Sequence, residues 1–244
     1  MSSLARADLE SLLRARKLDR TLSTAAPEPG AELATAATGI AALDARLGGG
    51  FPRGQLSELL GPRSSGRTSV LLQLLAAATS RGERAALVDA LDMLDARSAL
   101  AAGVDLARLL WVRGHVVVNP GLCGDMNRRA LDQALKALAL LLQAGVFGLV
   151  AFDVAEAPHE AVARLPFTTW LRLQRMVEGT STACVLVGSE PLARSSAGLS
   201  LRLAARPAPH ALSGLEMTAS VVRARAHRHD EGPIRLLAVA SPEV

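Results

Sequence analysis

Residues 61–68 carry the clearest chemical signal in this sequence: Gly-Pro-Arg-Ser-Ser-Gly-Arg-Thr. All positions but one fit a phosphate-binding loop, in which glycines at both ends let the backbone wrap closely around a phosphate. The loop amides point inward at the start of a helix, whose dipole favours an anion. Thr68 is placed to offer its hydroxyl to Mg²⁺. The segment therefore predicts a site of the kind that binds ATP and Mg²⁺.

Arg67 stands where this pattern requires a lysine. Arginine keeps the positive charge, but its wide planar guanidinium does not replace a compact ammonium without rearrangement. Two interpretations stay open: the loop still binds nucleotide, or it is retained for its fold after its ligand was lost. The candidate nucleotide-binding residues, vestigial or weak, are Gly61, Pro62, Ser64, Ser65, Gly66, Arg67, Thr68, Ser69 and Asp153.

Asp153 follows the apolar run Leu-Val-Ala-Phe and is the candidate acid for the magnesium shell. Enzymes with this loop need an acid at the end of a neighbouring strand to hold Mg²⁺. The alternative is an ordinary strand-end Asp that caps the following turn. The phosphate loop upstream favours the magnesium role.

The elements that must position these residues alternate along the chain. Short apolar runs predict strands at 56–60, 85–89, 109–113, 148–153 and 182–187, with helices at 68–81, 96–102, 127–143 and 168–178 between them. Near-continuous apolar strands that alternate with helices are typical of a parallel sheet covered on both faces. Three consecutive strands, at 199–205, 215–225 and 234–240, then predict an antiparallel extension. The expected fold is α/β, with a mainly parallel sheet flanked by helices.

Composition narrows the function classes. Half of the residues are hydrophobic, which excludes a mainly disordered chain. The net charge of +4 and pI near 10.0 permit a nucleic-acid or acidic protein partner without demanding one. Neither a signal peptide nor a membrane span is visible, so we expect a cytoplasmic protein. Cys123 and Cys184 have no metal-ligand spacing and are expected to be free thiols.

The N-terminal region is expected to form an arm. Leu9, Leu12 and Leu13 lie at helical spacing among charged residues, and 22–37 is rich in Ala, Thr, Pro and Gly. We therefore predict an amphipathic helix and linker over 1–37, followed by a core domain over 38–244. The helix either folds back on its own core or docks on another molecule, and the linker favours docking.

Three stretches in register resemble the RecA family. The first joins Thr38-Gly39 and Leu43-Asp44 to the segment Gly-Gly-Gly-Phe-Pro-Arg-Gly at 48–54. The second is the phosphate loop, and the third runs from Leu87-Val-Asp-Ala to Gly103-Val-Asp. The resemblance is good over 38–113 and weaker to about residue 240. It implies a RecA-like core with a phosphate loop.

The resemblance also exposes departures at functional positions. The catalytic glutamate of RecA falls on Leu91, the adenine-stacking tyrosine on Ser98, and the strand-end Asn-Gln that senses the γ-phosphate on Ser189-Glu190. Loss of a general base typically costs ~10²–10⁴ in rate. Asp89, Asp92 and Asp95 are the nearby acids that could substitute for it. The site is thus expected to be degraded and the protein not to be a working ATPase.

Direct DNA binding is expected to be weak or absent. The segments that match the DNA-binding loops of RecA are 154–168, which carries Glu156, His159 and Glu160, and 190–201, which is short and has Arg194 but no aromatic residue. Proteins that bind single strands usually combine a basic groove with stacking rings. A basic C-terminal region either is a solvated edge or contacts DNA or an acidic partner. Its arginines are Arg202, Arg206, Arg223, Arg225 and Arg228.

A RecA-like core with a degenerate phosphate loop and no separate C-terminal domain resembles the ImuA family. That resemblance implies an accessory role in SOS mutagenesis and translesion synthesis. The implied partners are RecA, the polymerase-like adaptor ImuB and, indirectly, an error-prone replicative-type polymerase, with Leu9, Leu12 and Leu13 as candidate partner contacts. The alternatives are a weak DNA-dependent ATPase and a SulA-like cell-division inhibitor. A membrane partner is not expected.

Overall fold

The computed structural model describes residues 34–114, 124–193, 196–207, 215–224 and 232–238. Residues 1–33 of the predicted arm, including Leu9, Leu12 and Leu13, lie outside these ranges, as do Cys123, Arg225 and Arg228. The structure gives Arg206 a place in a strand but does not describe its side chain. The division at residue 37 therefore stays a prediction.

An eight-stranded mixed sheet organises the described residues. Its strands are β3 (Leu56–Leu60), β4 (Ala85–Asp89), β5 (Leu109–Arg113), β6 (Leu149–Asp153), β7 (Ala183–Gly188), β8 (Leu199–Pro207), β9 (Leu215–Ala224) and β10 (Ile234–Ala238). The strand order is β10-β9-β8-β3-β7-β6-β4-β5, and the neighbours from β8 through β3 to β5 are parallel. The β8–β9 and β9–β10 pairs are antiparallel. The prediction of a mainly parallel α/β sheet with an antiparallel extension is confirmed.

Six α-helices in the described ranges connect and cover these strands. They are α1 (Ala41–Arg46), α2 (Arg67–Ser80), α3 (Ala96–Ala101), α4 (Gly124–Ala144), α5 (His159–Ala163) and α6 (Phe167–Val177), with a 3₁₀ turn at Leu106–Arg108. The four helices predicted at 68–81, 96–102, 127–143 and 168–178 are present, with ends that agree to within three residues. Four short features were not predicted: α1, α5, the 3₁₀ turn, and the two-stranded sheet of β1 (Thr35–Ala36) and β2 (Phe51–Pro52).

The central strands β4, β6 and β7 are almost entirely apolar because both faces of this part of the sheet are buried. Alternate side chains of β3 enter opposite layers: Leu59 packs with one cluster and Leu56 with the other. Helix α2 covers the first face through residues such as Leu74, and α4 and α6 cover the second through residues such as Leu138 and Trp170. This two-sided core fixes the strand ends at which the candidate site lies.

Asp44 explains the first stretch of the family resemblance. Its Oδ1 accepts hydrogen bonds of 2.7 Å from both the amide and the hydroxyl of Thr38, and its Oδ2 accepts one of 3.2 Å from the Gly39 amide. The carboxylate thereby ties the chain entering α1 to the helix itself. This part of the pattern is structural.

Candidate phosphate-binding site

The phosphate loop links β3 to α2, as its sequence predicts. The Gly61 amide donates to the Gly188 carbonyl at 3.2 Å, which ties the loop to the end of β7. Gly66 precedes the helix with a φ of +89°, a left-handed conformation that favours glycine. A side chain there would also overlap the Met217 sulfur. The loop therefore enters α2 with the geometry of an anion-binding helix start.

A cavity of about 380 Å³ opens over this loop at the carboxyl ends of β4 and β6. The predicted residues that line it are Ser64, Ser65, Gly66, Arg67, Thr68, Ser69 and Asp153. Gly61 and Pro62 support the loop without lining the cavity. Leu91, Met93 and Leu94 form part of its wall, so the position that corresponds to the catalytic glutamate is apolar.

Arg67 does not project freely into the cavity. Its side chain is only 6% exposed, and its Nη2 lies 2.8 Å from Oε1 of Glu156. The other carboxylate oxygen of Glu156 lies 3.3 Å from Nε of Arg63, at the mouth of the loop. Arg67 Nη1 also donates to the Ala155 carbonyl at 3.5 Å. The one cation that replaces the family lysine is thus neutralised from within the chain.

Asp153 lies at the end of β6, facing the same cavity. Its Oδ1 accepts a 2.9 Å hydrogen bond from the Ala155 amide, so the turn-capping role is realised. Burial raises the pKa of this carboxyl to about 6, although the Ala155 hydrogen bond opposes the rise. The nearby Asp89 raises the same pKa further. Mg²⁺ would favour the ionised form of the Asp153 carboxyl. The magnesium role of Asp153 therefore stays a prediction beside its turn-capping role.

The three acids that could substitute for the lost base all have structural partners. Asp89 Oδ2 accepts from the Leu94 amide at 2.8 Å and from Trp111 Nε1 at 3.2 Å. Asp92 accepts two 2.6 Å hydrogen bonds from Arg113.

Asp95 caps α3 by accepting from the Arg97 and Ser98 amides and from the Ser98 hydroxyl, which lowers the pKa of its carboxyl. Ser98, which stands where the resemblance expects an adenine-stacking tyrosine, therefore serves in a helix cap. The acids that could replace the catalytic base, and the serine at the position of the stacking ring, therefore make structural contacts in this chain.

Sequence reasoning missed two acids that act inside the structure. Glu156 is one; its signal was an acid three residues after Asp153, together with an arginine in place of the loop lysine. Glu58 is the other, buried in β3. Its Oε1 accepts 2.7 Å hydrogen bonds from the Leu192 and Ala193 amides, and its Oε2 accepts one from the Ser200 hydroxyl.

The basic C-terminal region is only partly described. Arg202 lies on β8 and pairs with Glu190, with 3.5 Å between Nη2 and Oε2. Arg223 is exposed on β9. The contact of this region with DNA or an acidic partner stays a prediction.

The fit of the cavity to a nucleotide is mixed. The phosphate end fits, because the loop keeps its backbone shape and the buried Ser65 hydroxyl oxygen has no hydrogen-bond partner among the described residues. Thr68 and Asp153 are the residues that would hold Mg²⁺. The catalytic end does not fit, because Leu91 replaces an acid and Glu156 pairs with Arg67.

Comparison with known proteins decides the family. The family profile described as the RecA N-terminal domain matches residues 22–157, more than half of the chain. The chain belongs to the RecA N-terminal domain family. Within that family, it is 40% identical over 106 residues to Protein RecA of Synechococcus sp. (strain CC9902), which covers 43% of this chain and 26% of that protein.

Two further RecA proteins match this chain with the same identity and similar coverage. Identity is 40% over 108 residues with Protein RecA of Prochlorococcus marinus (strain MIT 9211), or 44% of this chain and 28% of that protein. It is 40% over 106 residues with Protein RecA of Arthrospira platensis, or 43% of this chain and 27% of that protein. The chain therefore aligns with only about a quarter of these relatives' length.

No group of three or more His, Cys, Asp or Glu side chains in the described ranges is arranged to hold a metal ion. Every helix in the same ranges falls short of the length and hydrophobicity that a membrane span requires.

Proposed function

We propose that this RecA-family chain is an accessory protein of the ImuA kind, which acts in SOS-induced translesion synthesis through protein contacts rather than through ATP turnover. Its proposed partners are RecA, the ImuB polymerase-like adaptor and, indirectly, an error-prone replicative-type polymerase. The single observation that supports this most is an ion pair inside the site: Glu156 neutralises Arg67, the residue that stands at the family lysine position.

The acids around the cavity support the same conclusion. A general base must reach a water molecule near the transferred phosphate. Asp89 and Asp92 are held by Trp111 and Arg113, and Asp95 caps a helix. Each of these carboxylates would have to give up structural contacts to act in catalysis.

Weak direct DNA binding follows from the segment after β7. The amides of Leu192 and Ala193 donate to the buried Glu58, so this part of the segment is fixed to the sheet. In addition, Arg202 is paired with Glu190. A segment whose Leu192 and Ala193 amides already have an internal acceptor, followed by an arginine that pairs with Glu190, offers little to a phosphate backbone, which binds chiefly through unpaired basic groups.

Co-purification with RecA and with ImuB tests the proposal. The full-length chain is expected to retain at least one of them. A full-length variant with Leu9, Leu12 and Leu13 replaced by Ser tests whether the arm is the contact. Leu140→Ser is its matched control, because Leu140 is an exposed leucine of α4. Retention of neither partner by the wild-type chain would refute the proposal.

A weak DNA-dependent ATPase is the second candidate, favoured by the loop geometry and by Asp153 in the cavity. Phosphate release with single-stranded DNA should then fall to background in Asp153→Ala. Equal background rates for the wild type and this variant would exclude it.

A further inference from the structure

Glu156 places a carboxylate beside the loop that is shaped for a phosphate. One oxygen contacts Arg67 at 2.8 Å and the other contacts Arg63 at 3.3 Å. Both arginines line the cavity above the helix start. A carboxylate bridging two guanidinium groups satisfies the donors that a bound phosphate would otherwise use.

We propose that Glu156 is an internal anion that competes with phosphate for Arg63 and Arg67, and so sets the affinity of the site for phosphorylated ligands. This deepens the proposed function, since it rests on a chain that binds nucleotide weakly without turning it over. In this view the site is occupied by its own carboxylate and opens only when Glu156 is displaced.

The geometry permits that displacement. The Glu156 side chain is 28% exposed and that of Arg63 is 78% exposed, so both can leave without opening the core. The backbone around Glu156 is held independently: the Val154 amide donates to Val187 and the Ala157 amide to Val154. Rotation of the Glu156 side chain is therefore enough to free Nη2 of Arg67, which lines the cavity, while Nη1 keeps its contact with the Ala155 carbonyl.

The substitution Glu156→Gln tests the proposal, because it keeps the size of the side chain and removes its charge. Isothermal titration of the full-length chain with ATP and Mg²⁺, and separately with inorganic phosphate, measures the affinity. We expect Glu156→Gln to bind ATP about tenfold more tightly than the wild type, since a charge-assisted competitor is replaced by a neutral one. Glu156→Ala should give the same direction of change.

Glu160→Gln is the matched control. It removes the same charge from the same segment, but Glu160 is 84% exposed and lies 4.0 Å from Arg164, away from the loop arginines. Its affinity for ATP should stay within about twofold of the wild type, because an exposed charge is strongly screened. A second substitution, Arg67→Gln, made in the Glu156→Gln chain should abolish the gain. A purely structural role of Glu156 would not produce that reversal.

Equal ATP affinities for the wild type and Glu156→Gln would overturn the inference, as would the absence of binding in both. An equal gain in Glu160→Gln would overturn it too, because the effect would then be a general one of charge. Phosphate release and partner co-purification on the same preparations separate the two proposals. Rapid ATP turnover or loss of both partners would refute the accessory function, whatever Glu156→Gln does to affinity.

Discussion

Replacing Asp153 by Asn should stabilise the ligand-free protein at neutral pH. The carboxyl lies among buried strand ends, and its pKa is raised from an ordinary 3.8 to about 6, first by burial and then by the charge of Asp89. The Ala155 hydrogen bond and Arg67 oppose that rise without cancelling it. At pH 7 the folded state therefore holds a carboxylate that would be more favourable in the unfolded chain.

The size of the effect follows from the two pKa values. Between pH 4 and 6 the folded state binds more protons than the unfolded state, so the free energy of unfolding falls as pH rises through this window. Above pH 6 the loss is constant. The interval from 3.8 to about 6, at 1.36 kcal/mol for each pH unit, corresponds to about 3 kcal/mol. Asparagine keeps an acceptor for Ala155 but loses the attraction to Arg67, so we expect a gain of about 1–3 kcal/mol.

Urea unfolding at pH 7.5 and 4.5 measures this gain. Asp153→Asn should be more stable than the wild type at pH 7.5, and the difference should shrink by more than half at pH 4.5, where the native Asp153 is protonated. Asp132→Asn is the control, since Asp132 is exposed on α4 and lines no part of the phosphate cavity. A stability difference for Asp153→Asn that is absent, or the same at both pH values, would refute this account of the site.

Three further substitutions test the fold around the site. Glu58→Ala should lower the free energy of unfolding by about 2–4 kcal/mol, because three buried donors lose their acceptor; a loss no greater than that of Glu160→Ala would contradict this. Gly66→Ala should cost about 1–3 kcal/mol more than Gly82→Ala in thermal melts, since both glycines have a positive φ but only Gly66 lacks room for a Cβ. Cys184 is fully buried and burial raises its pKa to about 12, so in a Cys123→Ser chain a thiol reagent at pH 8 should label it only after unfolding; rapid labelling of the native chain would contradict its burial.

The sheet could be predicted from the sequence because its central strands are buried on both faces. The run Leu-Val-Ala-Phe before Asp153 is continuously apolar for that reason. Helix α4 could be predicted because it is long enough to show apolar residues at helical spacing on its buried face. The pair β1 and β2 could not be predicted, because two residues are too few to show any periodicity. The same limit applies to α5 and the 3₁₀ turn.

The electrostatics of the site were less predictable than its shape. Arg67 could be identified as the unusual residue of the loop, but its partner Glu156 lies 89 positions away. Glu58 is 134 positions from Leu192, whose amide donates a hydrogen bond to it. No local pattern reports such contacts, because the sheet order that places β7 between β3 and β6 arises only in the folded chain.

The retained glycine pattern does not by itself require a nucleotide. Gly66 needs its left-handed φ to start α2, and the Met217 side chain from β9 occupies the space that a Cβ would take. At Gly61, a Cβ would crowd the Leu203 carbonyl of β8. Both glycines are therefore constrained by the packing of the antiparallel extension against the loop. Selection for the fold alone would therefore preserve the loop, even though the Arg67–Glu156 pair cancels the positive charge that a working phosphate site needs. The gain in ATP affinity in Glu156→Gln would measure how much phosphate-binding capacity the loop retains.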